Sequence, residues 1–384
     1  MRRSARARRL PRLPRPLATA AAIMVAASLT TAPTPAAADT ATGAVPLPDR
    51  VLAGYLHTSF ANGSGWVDLA DVPDEWDIIH LAFAEPTSPT SGRLEFSLCP
   101  AQECPGVPSE QEFTAQIDAA QARGKKVVLS VGGQNGQVSL ETAAARDAFV
   151  ASASEIIDRY GLDGIDIDFE GHSLHLDADD TDFRSPTTPV ITHLIEALRE
   201  LSARYGDDFV LTMAPETFFV QVGHQFYGRG QWGGADPRAG AYLPVIHALR
   251  DRLTLLHVQH YNSGPVYGLD GRYHQMGTAD FHQAMADMVL TGFPVAGDPE
   301  HFFPPLDPSQ VAIGLPASPY AGNGHTPVAE VRAAWDCLTT ATGCSGYTPA
   351  AAHPGLRGLM AWSINWDRFG GDEFATEHGR HLDG

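Results

Sequence analysis

Apolar runs of strand length recur along the chain, separated by stretches with helical spacing of apolar residues. The runs are Val51–His57, Asp77–Ala84, Lys125–Val131, Gly164–Glu170, Phe209–Ala214, Leu253–Tyr261, Gln310–Leu315 and Gly358–Ser363. Between them, Ser109–Arg123, Ala143–Tyr160, Val190–Tyr205 and Phe281–Leu290 read as amphipathic helices, and Tyr242–Asp251 and Val328–Leu338 keep the spacing less regularly. Strands alternating with helices imply parallel pairing. Eight such units in roughly 330 residues predict an α/β fold, a closed (β/α)8 TIM barrel in a single domain. An open doubly wound sheet would want a glycine-rich phosphate turn after the first strand, and Gly54-Tyr55-Leu56-His57 supplies none. The glycine- and proline-rich stretches Gly228–Gly240 and Gly297–Pro308 read as long barrel loops, and no repeat or low-complexity linker marks a second module.

The pattern before the first strand is different. Seven arginines precede an apolar run from Leu17 to Leu29, and Ala36-Ala37-Ala38 offers small residues before Asp39. That is the layout of a secretory signal peptide over residues 1–38, with the barrel domain at 39–384 and its strand core at about 51–367. The expected destination is extracellular; paired arginines leave the twin-arginine route open beside the general one. A retained N-terminus is the alternative, but the run is short for a spanning helix. Cleavage takes seven positive charges and no acids from a chain of net charge −19, leaving −26 on 346 residues. So acidic a protein is a poor partner for nucleic acid or anionic membrane, and suits a neutral or cationic ligand. A monomer is expected.

Four cysteines fall in two local pairs, Cys99/Cys104 and Cys337/Cys344. Three connectivities are possible for four cysteines; export favours oxidation and proximity favours the local pairs. Zinc would want histidines at finger-like spacing, and neither pair has them.

The chemistry concentrates in Asp163-Gly164-Ile165-Asp166-Ile167-Asp168-Phe169-Glu170. As a strand, its period of two sets Ile165, Ile167 and Phe169 on one face and Asp166, Asp168 and Glu170 on the other. Three stacked carboxyls cannot all ionise cheaply, so their pKa values are pushed apart. Calcium loops place ligands on a curling turn instead. In a barrel, active sites gather at the C-terminal strand ends. There the third strand ends at Ser130-Val131-Gly132-Gly133, the fifth at Met213-Ala214-Pro215-Glu216, the sixth at Gln259-His260-Tyr261-Asn262 and the eighth at Ala361-Trp362. Carboxylates, amides, a phenol and an indole at one mouth suit a sugar, which stacks by its CH face and hydrogen-bonds by its hydroxyls.

These strand ends, in this order, resemble those of glycoside hydrolase family 18 chitinases. Asp163-x-x-Asp166-x-Asp168-x-Glu170 is similar to that family's acidic signature and Ser130-x-Gly132-Gly133 to its second motif. The resemblance implies a retaining, substrate-assisted hydrolysis of β-1,4-linked N-acetylglucosamine polymers or oligomers, with no cofactor and no metal. Family 18 is a recognised exception to the two-carboxylate scheme, because the substrate's acetamido group is the nucleophile. Glu170 is then the general acid, Asp168 orients the acetamido group, Asp166 shares a proton with Asp168, and Tyr261 holds the acetamido oxygen. Trp362 is the floor beneath the sugar, Ser130 and Tyr55 support Asp166, and Met213, Glu216, Gln259 and Asn262 are candidates for lining the same subsite.

Blander readings stand beside these. Ser130 could simply tie a strand end, Tyr55 and Met213 could fill the core, and Trp362 could be an interior aromatic. Asp163 has the opposite parity to the other acids and reads as scaffold. His172, His175, Asp177, Asp179 and Asp180 look superficially metal-like but read as a solvated loop. About forty residues separate Leu315 from Gly358, too few for the small α+β domain some family members insert there, so an open groove and internal cleavage are expected. No chitin-binding module is visible, and exposed aromatics such as Trp66 or Trp232 are candidate substitutes. An endo-β-N-acetylglucosaminidase acting on glycoprotein glycans shares the acid pair and remains a rival. A non-catalytic sugar-binding relative is the second, although such relatives typically lose the terminal acid that Glu170 supplies.

Overall fold

The computed structural model describes residues 46–228 and 236–383. The predicted signal peptide, and Trp232, lie outside them. Eight parallel strands close on themselves: β1 (Val51–His57), β2 (Ile78–Pro86), β3 (Lys126–Gly132), β4 (Gly164–Asp168), β5 (Val210–Met213), β6 (Leu255–Gln259), β7 (Val311–Pro316) and β8 (Gly358–Trp362). β1 pairs with both β2 and β8, which closes the eight strands into a ring without a free edge. The strands are buried along nearly their whole length because both faces are covered, so they read as continuous apolar runs.

The helical layer is α1 (Glu110–Ala122), α2 (Ala143–Tyr160), α3 (Pro189–Tyr205), α4 (Leu243–Leu249), α5 (Ala279–Thr291), α6 (Val328–Thr340), α7 (Ile364–Gly370) and α8 (Glu373–Asp383). The six predicted helices are present, and their limits follow from capping. Ser109 and Glu112 form a reciprocal capping box that starts α1, and Thr142 caps α2 through Ala145 N. α2 stops at Gly161, whose φ of 65° only glycine adopts without cost. The β1–β2 connection carries one short 3-10 turn, Leu69–Asp71, instead of a full helix. α7 and α8, which follow β8, pack against β1 and close the ring. Asp367 joins them, accepting from Phe374 N at 2.7 Å and Ala375 N at 3.0 Å.

Two apolar layers result. Leu52, Leu56, Ile165, Ile167 and Met213 belong to the shell between barrel and helices, whereas Tyr55, Val210, Ala214 and Met360 fill the barrel interior. The disulfides are Cys99–Cys104 and Cys337–Cys344, the local pairs. No described helix is long and apolar enough to cross a membrane.

Candidate active site

Register decides which side chains meet. Ser130 lies opposite Asp166 across β3 and β4, and Asp166 opposite Thr212 across β4 and β5. All three point into the barrel. Asp166, fully buried, accepts from Tyr55 Oη and Ser130 Oγ at 2.7 Å each on Oδ2, and from Thr212 Oγ1 at 2.6 Å on Oδ1. Two buried imidazoles flank the same Oδ1, His257 Nε2 at 3.4 Å and His80 Nε2 at 3.8 Å. Burial pushes the Asp166 carboxyl up. The pull of His80, His257 and Thr212 outweighs it and holds the group well below the usual carboxylate range. Tyr55 is driven the other way, raised by burial and then by the Asp166 charge, so it stays a hydrogen-bond donor.

One layer higher, Asp168 is also buried. Burial, then the like charges of Glu170, Asp166 and Glu216, raise its pKa well above normal, against an opposing hydrogen bond from Gln259. Two neighbouring carboxyls are thereby driven apart, with Asp166 ionised and Asp168 inclined to hold a proton. Asp168 stands between Asp166 below and Glu170 above, and feels the charge of both. β4 ends at Asp168, and Glu170 stands just beyond the strand on the chain leading to Gly171 at φ 62°. Burial raises the Glu170 carboxyl, while hydrogen bonds from Gln259 and Asp168 temper the rise.

Gln259, at the end of β6, fixes both acids. Its Nε2 reaches Asp168 Oδ1 at 2.9 Å, Glu170 Oε1 at 3.0 Å and Ala214 O at 3.0 Å. Glu216 bridges to the same residue through the backbone. Burial, then the Glu170 charge, lift Glu216 to about 7, with Arg238 pulling it down. The backbone makes room as well. Gly132, at φ 115°, brings its Cα so close to Asp168 O that a Cβ would sit 2.2 Å from it.

These groups open into a cleft of about 890 Å³ lined by Asp168, Glu170, Glu216, Gln259, Tyr261, Asn262 and Trp362 among others. Trp362 is half-buried and stacks on Phe83 with ring centroids 5.7 Å apart, above Tyr55 at 5.5 Å. Tyr261 is buried, its phenol raised by burial and then by the charges of Asp168 and Glu170. A side recess of about 240 Å³ branches off between Glu216, Arg238, Tyr261 and Ser263. A proton-holding acid pair, a phenol and a flat indole around an open cleft can protonate a leaving oxygen while an aromatic face supports a ring.

Met213 is the correction. Expected at the subsite, it faces outward into the shell between barrel and helices and does not line the cleft. Period two requires this, because Thr212 and Ala214 on either side face inward. Asp163 is scaffold, accepting from Val127 N and Gln121 Nε2 at 2.8 Å each and pairing with Lys126 at 3.2 Å. Asp180, in the metal-like stretch, instead accepts from Thr187 N, Thr188 N and Thr188 Oγ1. Trp66 is half-buried. Sequence reasoning missed His80, His257 and Thr212. Their signal was a polar residue alone in an apolar run at interior parity. His80, Asp166 and His257 bring ligand-type atoms within 4.8 Å of one another, but the shared oxygen is already taken by Thr212.

A family model described as glycosyl hydrolases family 18 matches residues 52–323. Exochitinase 1 of Streptomyces olivaceoviridis is 68% identical over 332 residues, covering 86% of this chain; the chain spans 56% of that protein's length. A probable class II chitinase of Arthroderma benhamiae is 58% identical over 82% of this chain and 94% of its own. Among solved structures, a family GH18 chitinase from Chromobacterium violaceum superposes with a TM-score of 0.78 at 39% identity, over 88% of this chain and 85% of that one.

Proposed function

The chain belongs to the family 18 glycosyl hydrolases, and from that premise we propose that it hydrolyses β-1,4 links between N-acetylglucosamine units in chitin or its oligomers. The observation that carries this reading is the pair Asp168–Glu170, both raised in pKa and both held by Gln259, at the mouth beside Trp362 and Tyr261. Glu170 protonates the glycosidic oxygen. With the first proton on Asp168 or Glu170 and Asp166 ionised below, the site carries acid and charge in one column. The substrate's acetamido oxygen attacks the anomeric carbon, forming an oxazolinium ion that water opens with retention of configuration. Asp168 accepts the acetamido N–H and balances the developing positive charge, and Tyr261 donates to the acetamido oxygen to keep it in line. Trp362 supports the ring being distorted. The N-terminal 38 residues direct the enzyme out of the cell.

Internal cleavage is favoured by the connection between β7 and β8, which carries only α6 and the Cys337–Cys344 loop and so walls off nothing. Release from chain ends is the second reading, and the name of the 68%-identical relative favours it. A product time course on chito-oligosaccharides with anomer detection, run beside Glu170→Gln, tests the chemistry. Early β-anomers are expected, with turnover in the variant down by roughly 10²–10⁴-fold. Early α-anomers, or wild-type-like turnover in the variant, overturn it. Release of glycans from glycoprotein without oligomer cleavage moves the assignment to an endo-β-N-acetylglucosaminidase. On a soluble chitin derivative, a rapid fall in viscosity supports internal cleavage, and disaccharide release at constant viscosity supports the exo reading.

A further inference from the structure

Outside the cleft, three aromatic rings stand together on the surface. Tyr320 is 68% exposed and Phe369 53% exposed, with half-buried Trp366 between them. Tyr320 stacks on Trp366 at 6.4 Å with 28° between planes, and Phe369 meets both rings edge-on at 5.4 and 5.5 Å. A soluble, strongly acidic chain gains nothing from leaving so much ring surface in water unless something covers it.

The cluster adjoins the cleft along two segments. Tyr320 lies on the loop after β7, three residues before Asn323, which lines the cleft. Trp366 and Phe369 lie on α7, which begins two residues after Trp362. Both segments are fixed. Ala317 N donates to Trp362 O at 2.8 Å, tying the loop to β8. Asn262 and Asn323 exchange two hydrogen bonds of 2.9 Å, tying the far end of the loop to the end of β6. The rings are therefore presented on a braced rim, with little ordering left to do on contact.

We infer that Tyr320, Trp366 and Phe369 form an auxiliary platform that receives a polymeric β-1,4-linked N-acetylglucosamine chain continuing out of the cleft. This rests on the substrate reading proposed above. The chemistry fits a neutral polysaccharide. Flat rings stack on the CH faces of pyranose units, and the absence of required charge suits an acidic protein and an uncharged polymer. None of the three rings lines the cleft, so the platform bears on a chain long enough to leave it.

The test is Tyr320→Ala/Phe369→Ala, with Tyr320→Ser as a second variant and circular dichroism on each. Binding to insoluble chitin is measured in the cold on proteins that also carry Glu170→Gln, so it is read without turnover. Roughly tenfold weaker binding of the double variant is expected, with turnover of a short soluble oligomer within twofold of wild type. Unchanged chitin binding in both variants overturns the platform, whatever the oligomer assay shows. Equal losses on oligomer and polymer also overturn it, because the rings would then serve the cleft itself. Concentration-dependent dimers that dissolve in the variants overturn it too, assigning the rings to a second copy of the chain. Absence of oligomer cleavage by wild type, by contrast, strikes the proposed activity, and the binding arm still decides the platform.

Discussion

One amide nitrogen, Gln259 Nε2, donates to Asp168 Oδ1 at 2.9 Å and to Glu170 Oε1 at 3.0 Å, so two acids from one segment share a clamp from another strand. The clamp favours the ionised form of each carboxyl and restrains the rise that burial imposes. Gln259→Leu removes it at similar volume. A hydrogen bond to a charged group is worth about 1.5–3 kcal/mol, here divided between two acids. The alkaline limb of the pH–rate profile is expected to move up by roughly one unit, with kcat reduced. A profile of unchanged position would show that the clamp orients the acids without tuning them.

Glu216 acts with the opposite sign. Its carboxyl, raised to about 7 chiefly by burial and then by Glu170, adds negative charge facing Asp168 as it ionises. That charge keeps protons on its neighbours. Glu216→Gln deletes it, so the alkaline limb is expected to move down by roughly half a unit to one unit. The two variants together bracket wild type. Shifts in the same direction would contradict the electrostatic assignment of one of them.

The barrel was legible because parallel strands covered on both faces appear as unbroken apolar runs. Asp166, Asp168 and Glu170 were legible because three acids at period two interrupt one such run. The company Asp166 keeps was not. His80 and His257 come from β2 and β6, distant in sequence, and only the closing of the ring carries them to one carboxylate oxygen. α8 escaped because a short helix rich in polar residues turns a narrow stripe inward, Phe374, Ala375, His378 and Leu382, with few apolar residues to announce it. Met213 was misplaced by one step of parity, which in a strand is the whole difference between pocket and shell.

That parity gives a paired test. Thr212 Oγ1 donates to Asp166 at 2.6 Å, and Met213, the next residue, packs among helices. Thr212→Val keeps the shape and removes the hydroxyl, leaving a buried carboxylate short of a donor, and is expected to cost about 1.5–3 kcal/mol in stability with a clear fall in kcat. Met213→Leu conserves volume and is expected to cost less than about 1.5 kcal/mol with kcat unchanged. Chemical denaturation and steady-state kinetics measure both. Loss of kcat in the Met213 variant alone would reverse the assignment of faces.

His378 links the closing helix to pH. It is buried on α8 against Phe374, ring centroids 4.5 Å apart, and its Nδ1 has no hydrogen-bond partner. Burial first, then the positive charges of Arg332, His381 and His325, lower its pKa from 6.5 to about 3. The unfolded chain therefore takes up a proton near pH 6.5 that the fold refuses until about 3. Stability from this group is present above 6.5 and drains as pH falls, by about 1.4 kcal/mol per unit, or about 2 kcal/mol by pH 5. Asp367, which caps the same helix, runs the other way. Burial raises its carboxyl to about 6, so its contribution is present in acid and lost as pH rises through 6. The raw stability profile sums both, and only a difference isolates one. Unfolding free energies of wild type and His378→Leu, measured at pH 7 and pH 5, are expected to diverge by about 2 kcal/mol in the variant's favour at the lower pH. Parallel profiles would mean that the imidazole is protonated in the fold, with a counter-charge reaching it from α6 or α8.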